Sequence, residues 1–351
     1  MKQTLILVLC NFYLSILVAQ TNYAIEIVHQ DVNTSLRGLC VVNDSVIWTS
    51  GSNGYVGRSI DAGKTWDFKQ IHPFDSAEFR DIEAFDANTA VVMSSVQPAC
   101  ILKTTDGGKT WKEVFRNDDP AIFLDAFDFE GDKGICLGDP INNWFYLLST
   151  DNKGDSWKEI KNKKNVAPDS TYAFAASGST IQIVDENDIY FATGGRSALI
   201  YKSQNWGKSW EALTTPMLSG KQSQGIFSID FPEKEIVLIG GGDYIKTNST
   251  NFNFYSGEIN LHLGESEDLP DSINWENHGA NPSGYISCIK FLQYPIMSIM
   301  CGTGGVDIFN FISEEGGKIN EESFNVIGIA PNEKAVYFAG NNGKIGKFIR
   351  K

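Results

Sequence analysis

The chain has 351 residues, of which 42% are hydrophobic, and a formal net charge of −14. So acidic a surface repels phosphate backbones and anionic lipids, and we predict neither a nucleic-acid partner nor binding to a membrane surface. The hydrophobic content is sufficient for a packed core, and the 33 glycines suit an all-β protein with many tight turns.

Residues 1–20 have the pattern of a cleavable secretory signal peptide. Lys2 precedes an apolar run from Leu5 to Val18, and the residues after Gln20 are polar. We therefore predict cleavage near Gln20, a mature domain of residues 21–351, and a secreted or periplasmic location. No later stretch contains about 18 consecutive apolar residues, so no membrane span is predicted.

A motif of the form Ser/Thr-x-Asp-x-Gly-x-Thr/Ser-Trp recurs along the chain. We read four copies as Ser59–Trp66, Thr104–Trp111, Ser149–Trp157 with one inserted residue, and Ser203–Trp210 with Asn in place of Asp. The closing tryptophans at 66, 111, 157 and 210 are 45, 46 and 53 residues apart. Such spacing is typical of a repeat architecture.

Each copy has the chemistry of a β-hairpin turn. Asp or Asn accepts hydrogen bonds from nearby backbone N–H groups, and Gly supplies the positive φ that closes the turn. The Trp ring then covers the hairpin. We therefore predict a structural role for the following residues: Asp61, Trp66, Asp106, Trp111, Asp151, Trp157, Asn205 and Trp210.

These motifs resemble the Asp-box (BNR) repeats of β-propellers, which include sialidases and sortilin-type domains. The chain most resembles the photosystem II assembly/stability factor family and its secreted non-photosynthetic bacterial relatives, over essentially the whole mature sequence. Besides the boxes, the resemblance rests on Arg37-Gly38-Leu39, Ser50–Gly54 and Gly343–Gly346. It implies a non-catalytic propeller that binds a protein partner. A sixth blade without a box and an insertion in the fifth depart from the family pattern and leave a photosystem role open.

The segments between the boxes repeat one plan: inner strand, second strand, glycine-rich turn, third strand and outer strand. We predict an all-β fold, a single seven-bladed β-propeller with four-stranded blades. The predicted blades span 37–70, 79–116, 123–161, 171–213 and 225–275, and two more begin at 284 and 324. Blade four should begin with Tyr172-Ala173-Phe174, and blade five should contain a polar insertion over 245–275. Blade seven lacks one strand, so we expect Tyr23–Val28 to complete it and close the ring.

The cysteines and histidines give no sign of a metal site or a cofactor. Five cysteines remain once Cys10 is removed with the leader, and an odd number argues against a disulfide framework. A single disulfide between Cys288 and Cys301 stays open, because both are equidistant from a turn at 293–296. The four histidines are scattered, no Cys-x-x-Cys occurs, and the Rossmann glycine pattern is absent.

In a propeller, the loops that enter the inner strands and the turns after the second strands share one face. Three of the six arginines fall on this face, and arginine binds carboxylates in a bidentate manner. The candidate ligand or partner residues are Arg37, Arg80, Asp81, Glu83, Asp125, Asp139, Tyr172, Arg196, Asp243, Tyr244 and Tyr285. The alternative is structural, with Arg37 and Arg80 joining neighbouring blades through Asp81, Glu83 and Asp125.

Two functions are compatible with such a face. The first is a monomeric, non-catalytic scaffold that binds a protein partner of the cell envelope. The second is a sialidase-like glycoside hydrolase acting on carbohydrate, with Tyr172 or Tyr285 as nucleophile beside Glu83. Phe79-Arg80-Asp81-Ile82 matches only half of the Phe/Tyr-Arg-Ile-Pro segment of sialidases, which favours the scaffold.

Overall fold

The computed structural model describes residues 23–161, 167–250, 253–260, 272–279 and 282–351. These residues form seven antiparallel sheets, one for each blade of a β-propeller. Apart from a short 3-10 turn at Asn341–Gly343, the described residues contain strands and irregular segments. The predicted all-β fold and the seven four-stranded blades are confirmed. No helix in the described ranges is long and apolar enough to cross a membrane. The predicted signal peptide lies outside the described residues.

The first strand of the chain, β1 (Tyr23–His29), belongs to the last blade. Blade one consists of β2 (Leu36–Val41), β3 (Ile47–Gly51), β4 (Tyr55–Ser59) and β5 (Asp67–Gln70). Blade two consists of β6 (Phe79–Ala84), β7 (Ala90–Ser94), β8 (Ala99–Thr104) and β9 (Lys112–Asn117). Blade three consists of β10 (Leu124–Glu130), β11 (Lys133–Ile141), β12 (Trp144–Thr150) and β13 (Lys158–Glu159).

The fourth and fifth blades are linked by two short extra strands, β14 (Thr171–Tyr172) and β17 (Gly194–Gly195). Blade four consists of β15 (Ile181–Asp185), β16 (Asp188–Ala192), β18 (Leu199–Ser203) and β19 (Glu211–Thr214). Blade five consists of β20 (Lys221–Glu233), β21 (Ile236–Asp243), β22 (Phe254–Asn260) and β23 (Ser272–Glu276). Blade six consists of β24 (Ile286–Leu292), β25 (Met297–Gly302), β26 (Gly305–Asn310) and β27 (Glu315–Asn320). Blade seven consists of β28 (Val326–Ile329), β29 (Val336–Ala339), β30 (Ile345–Arg350) and β1.

The N-terminal strand closes the ring as predicted. β1 pairs antiparallel with β30, with Ile25 opposite Phe348. The Tyr23 ring stacks on Phe348 at a centroid distance of 5.2 Å. The last blade therefore combines the two ends of the described chain, an arrangement that leaves β30 without an open edge.

Side chains of the inner strands join neighbouring blades around the axis. Each accepts a hydrogen bond from a backbone N–H of the next blade: Cys40 from Ala84 (3.4 Å), Asp81 from Phe127 (2.9 Å), Asp128 from Ile183 (2.6 Å), Ser228 from Ile289 (2.9 Å), Asp230 from Phe291 (2.7 Å) and Cys288 from Ile327 (3.4 Å). These bonds replace the water that the buried groups have lost. Asp81 therefore joins blades through a peptide N–H, and the interpretation that it pairs with an arginine is wrong.

Blade four begins later than predicted. Its inner strand is β15, whereas Thr171–Tyr172 pairs with Gly194–Gly195 beside blade five. The intervening residues 173–180, which we call the channel segment, reach the axis of the ring. There the Ser177 hydroxyl donates to the Ser287 carbonyl at 2.8 Å, and Ser179 Oγ lies 2.7 Å from Ser228 Oγ. The small side chains of this segment fit the narrow centre of the ring.

The Asp-box turns have the predicted hydrogen bonds. Asp61 accepts from the Thr65 backbone N–H at 2.9 Å and from the Thr65 hydroxyl at 2.6 Å. The Thr65 hydroxyl, followed by its N–H, lowers the pKa of Asp61 to about 2. Asp106 makes the same bonds to Thr110. The closing Trp66 donates its indole N–H to Gly63 at 3.1 Å, which fixes the ring over the turn.

The third box has no inserted residue, so the assignment of Asp151 as its turn residue is wrong. Asn152 accepts from the Ser156 N–H at 3.1 Å and donates to the Ser156 hydroxyl at 2.9 Å, as Asn205 does with Ser209 in the fourth box. The copy is Thr150–Trp157, with Asn at the Asp position. Asp151 is exposed at the variable position before it.

Replacing each of these two neighbouring residues by alanine tests the corrected register. We expect Asn152→Ala to lower the free energy of unfolding by roughly 1–2 kcal/mol, because the turn loses its bonds to Thr150 and Ser156. Asp151→Ala should change it by less than about 0.5 kcal/mol, as for other exposed substitutions. Urea denaturation measures both values, and a larger loss for Asp151→Ala would contradict the register.

The predicted insertion of blade five consists partly of regular strands. β22 and β23 pair from Ser256–Glu276 to Asn260–Ser272, while residues 251–252 and 261–271 lie outside the described ranges. In blade six, Cys288 lies opposite Cys301 in the strand register, as their spacing predicts. Both thiols are nevertheless free, and the Cys288 sulfur instead accepts the N–H of Ile327.

Candidate functional site

A cavity of about 670 Å³ opens on the face where the inner strands begin. Its lining comes from blades one, two, three, five, six and seven and from the channel segment. Six predicted residues are brought together in it: Arg37, Arg80, Asp139, Tyr172, Tyr244 and Tyr285. The other lining residues were not predicted: Phe123, Ala173, Phe174, Ala175, Ala176, Gln222, Phe227, Thr247, Ser287, Thr303 and Asn325. We call this the arginine cavity.

The two arginines are held by the channel segment. Arg37 donates to the Ala176 carbonyl at 3.3 Å, and Arg80 donates to the Ala175 carbonyl at 3.1 Å. Burial, and then the neighbouring charge of Arg80, lower the pKa of Arg37. Arg80 has a long ion pair of 3.4 Å to Glu78, and its buried Nε has no hydrogen-bond partner. Among the described residues Arg37 is in no ion pair, so the positive charge of the cavity is only partly compensated.

Aromatic rings form part of the cavity wall. Phe174 stacks on Phe227 with 4.1 Å between the ring centroids, and Tyr285 meets Phe227 edge-on at 4.8 Å. Burial raises the pKa of Tyr285, so its hydroxyl stays protonated. Tyr244 is 47% exposed and contacts both phenylalanines from the outer side. The cavity thus combines two cationic groups with a rigid apolar surface.

A pair of carboxyl groups lies at one side of the cavity. Asp139 lines it and accepts the Ala173 N–H at 3.1 Å, while Asp125 is fully buried behind it. Neither carboxyl oxygen of Asp125 has a hydrogen-bond partner among the described residues. Burial raises the pKa of both groups, that of Asp139 to about 7, and the Asp139 charge adds to the effect on Asp125.

The other predicted residues lie outside the arginine cavity. Glu83 lines a cavity of about 340 Å³ together with Cys40 and Lys153. Arg196 is exposed and contributes its backbone N–H to Ser170. Asp243 is buried and caps the turn that follows it, because its carboxylate accepts the backbone N–H groups of Ile245 and Lys246. The predicted group of three arginines is therefore reduced to two in the cavity.

Residues 79–345 match the family described as Photosynthesis system II assembly factor YCF48. The chain belongs to this family. The matched segment covers blades two to six and most of blade seven, so the family relation extends over the arginine cavity, with the exception of Arg37 in blade one.

Solved structures of the family have the same fold. A structure of YCF48 bound to D1 peptide is similar over 95% of this chain and 97% of that chain, with a TM-score of 0.65 and 12% identity. YCF48 from Cyanidioschyzon merolae is similar over 93% of this chain and 98% of that chain, with a TM-score of 0.64 and 13% identity. The WD40 domain of Neurospora crassa Pan2 gives a TM-score of 0.62 at 11% identity, over 95% of this chain and 97% of that chain. Such low identities show a shared fold.

Among curated proteins, vacuolar protein sorting/targeting protein 10 of Colletotrichum graminicola is 34% identical over 82 residues. The match covers 23% of this chain and 5% of that protein. This chain therefore corresponds to a small part of that relative.

The site suits binding by charge and shape. No group of three or more His, Cys, Asp or Glu side chains that could hold a metal ion occurs in the described ranges. Two arginines that donate to backbone carbonyls keep further N–H donors, since each guanidinium has five. The cavity therefore offers a carboxylate both charge and directed hydrogen bonds.

Proposed function

We propose that this protein is a secreted or periplasmic scaffold that binds a segment of a protein partner of the cell envelope in the arginine cavity. The observation that carries the proposal is the juxtaposition of Arg37 and Arg80 beside the aromatic wall formed by Phe174, Phe227 and Tyr285. The family and the neighbouring structure of YCF48 bound to D1 peptide support a peptide as ligand. The same relation supports an assembly or stability role.

The geometry favours a partner segment with a carboxylate next to an apolar side chain. Two close guanidinium groups repel each other, and a carboxylate between them relieves that repulsion while accepting hydrogen bonds from both. The apolar neighbour would cover the partly exposed rings of Phe174 and Tyr244, of which Phe174 is fixed by its stack on the buried Phe227. Rigid groups lose little entropy on binding, so a short segment can bind specifically.

A glycoside hydrolase has less support from the same residues. Tyr172 and Tyr285 line the arginine cavity, but Glu83 lines a different cavity and Arg196 is outside both linings. The raised pKa of Tyr285 also disfavours a tyrosinate nucleophile. A fluorogenic sialoside assay, run beside the binding experiment, tests this alternative directly.

The double variant Arg37→Ala/Arg80→Ala is expected to weaken partner binding by roughly 100-fold or more, since each charged hydrogen bond contributes about 1.5–3 kcal/mol. The native mature protein is used to capture its partner from envelope extract. The purified partner is then titrated by calorimetry against both proteins, and melting temperatures report whether the variant is folded.

A second double variant, Arg116→Ala/Arg350→Ala, is the matched control. It removes the same charge from the outer strand β9 and from the exposed end of β30, and should bind as the native protein does. Equal loss of affinity in both double variants would contradict the assignment of the cavity. Hydrolysis of the sialoside by the native protein, lost in the Arg37→Ala/Arg80→Ala variant, would contradict the scaffold function and support the hydrolase.

A further inference from the structure

A further cavity, of about 280 Å³, lies at the Asp-box turns of blades three and four. Strand β11 runs from Lys133 in this cavity to Asp139 in the arginine cavity, so the two lie at opposite ends of the blade. The lining includes three lysines, Lys133, Lys158 and Lys208, against one carboxylate, Asp151. We call it the lysine cavity.

The concentration of positive charge here is unusual in so acidic a chain. The protein has a net charge of −14, yet two exposed lysines, Lys133 and Lys158, lie together at this cavity. Neither Lys133 nor Lys158 is in an ion pair among the described residues. Lys133 instead places its ammonium 4.9 Å from the centre of the Trp206 ring. This surface therefore attracts anions locally although the whole protein repels them.

Trp206 occupies a backbone position that disfavours bulky side chains. The residue before the box glycine has a positive φ in every copy: 64° for Ala62, 76° for Gly107, 53° for Lys153 and 56° for Trp206. A left-handed backbone conformation is unusual for a bulky residue, and such strained positions are often found at functional sites. Its indole N–H donates to the Glu186 carbonyl at 2.6 Å, so the ring is held at the cavity in one orientation.

We propose that the lysine cavity binds an anionic saccharide, with the Trp206 ring as the platform for the sugar. The apolar C–H face of a pyranose fits an indole ring. The sugar would take the place of the Lys133 ammonium over the Trp206 ring, and Lys133 and Lys158 would then neutralise a carboxylate or sulfate on the sugar. The hydroxyls of Ser149 and Ser156 and the Asp151 carboxylate are available along the wall for sugar hydroxyls. The volume is near the lower limit of small-molecule sites, about 300 Å³, and suits one or two sugar units of a longer chain.

The chain itself supplies conservative variants for the test. Gly107 stands where Trp206 does in the second box, so Trp206→Gly removes the platform while keeping a residue that the turn accepts. Lys133→Ala/Lys158→Ala removes the charge. Lys64→Ala/Lys109→Ala removes two exposed lysines from the first and second boxes and serves as the charge-matched control.

Calorimetric titration with trigalacturonic acid measures binding, with neutral maltotriose, sodium sulfate and hexaglutamate as comparison ligands. We expect trigalacturonic acid alone to bind, and roughly tenfold weaker binding for both Trp206→Gly and Lys133→Ala/Lys158→Ala. Lys64→Ala/Lys109→Ala and Arg37→Ala/Arg80→Ala should bind it normally. The melting temperature of Trp206→Gly is expected to fall, because the loss of the packed ring and of its hydrogen bond to Glu186 outweighs the relief of backbone strain; binding is therefore compared at a temperature at which both proteins are folded.

Three results would overturn the proposal. The first is the absence of trigalacturonic acid binding to the native protein. The second is native affinity of the Trp206→Gly variant for trigalacturonic acid, which would show that the Trp206 ring does not bind the sugar. The third is equal binding of sulfate or hexaglutamate, which would show an anion site that does not distinguish sugars.

Discussion

Gly178→Ala is expected to lower the free energy of unfolding by roughly 3 kcal/mol or more. Gly178 has a φ of 72°, and a Cβ there would come within 2.3 Å of the Asp81 Oδ1 atom. Asp81 cannot easily yield, because it is buried and accepts the N–H groups of Ile82 and Phe127. The substitution would therefore either displace the channel segment or break the hydrogen bond that joins blades two and three.

The matched control is Gly131→Ala. Gly131 has a similar φ of 61°, but an added Cβ would meet no atom within 4 Å. Its cost should be limited to the backbone penalty of about 1 kcal/mol. Chemical denaturation of both variants separates the contact with Asp81 from the conformational penalty. Equal losses in the two variants would contradict the position of the channel segment at the axis.

Displacement of the channel segment should also affect the arginine cavity. Ala175 and Ala176 provide the carbonyls that hold Arg80 and Arg37. A folded fraction of Gly178→Ala is therefore expected to bind the partner more weakly, although Gly178 does not line the cavity. Stability and binding are linked here because one irregular segment fills the axis and positions both arginines.

The sequence predicted the ring because its evidence was local and repeated. Each Asp-box turn depends on residues within one short motif, and β1 was identified because blade seven lacked one strand. One prediction failed where a neighbouring residue fitted the pattern almost as well. Asp151 and Asn152 are adjacent and chemically alike as turn residues, so only the bonds to Ser156 distinguish them.

The channel segment could not be predicted, because alanine, serine and glycine produce no hydrophobic periodicity. Its place depends on contacts with Ser228 and Ser287, which are far away in sequence. The arginine cavity was predicted in part. Glu83 was grouped with Arg80, although three residues along a strand span about 10 Å; the two side chains therefore line different cavities.

The buried carboxyl groups of the inner strands predict an unusual dependence of stability on pH. Burial raises the pKa of Asp81 to about 7, of Glu83 to about 8 and of Asp128 to about 6. Burial raises that of Asp139 to about 7 as well. Each group is better accommodated when it is protonated, because a charged carboxylate loses its hydration inside the ring.

The sign follows from proton binding. In the unfolded chain these groups titrate near pH 4, so between about pH 4 and 8 the folded state binds more protons than the unfolded state. The free energy of unfolding that these groups contribute should therefore be retained at about pH 5 and decrease as the pH rises through 6 to 8. Asp61 and Asp106 act in the opposite direction at lower pH, because their pKa values are lowered to about 2 and their contribution is lost as the pH falls below about 4.

We expect the melting temperature to fall by roughly 5–10 °C from pH 5 to pH 8.5, since one pKa unit in one group corresponds to about 1.4 kcal/mol and partial hydration reduces the sum. Glu83 is partly exposed, so its contribution to the pH dependence of the melting temperature should be smaller than its pKa suggests. Scanning calorimetry across this range measures the slope. Asp139→Asn and Glu83→Gln should each flatten it, whereas Glu315→Gln, on the exposed strand β27, should leave it unchanged. A melting temperature that rises steadily from pH 5 to 8.5 would show that these carboxyl groups are hydrated, and that the channel is wider than its hydrogen bonds imply.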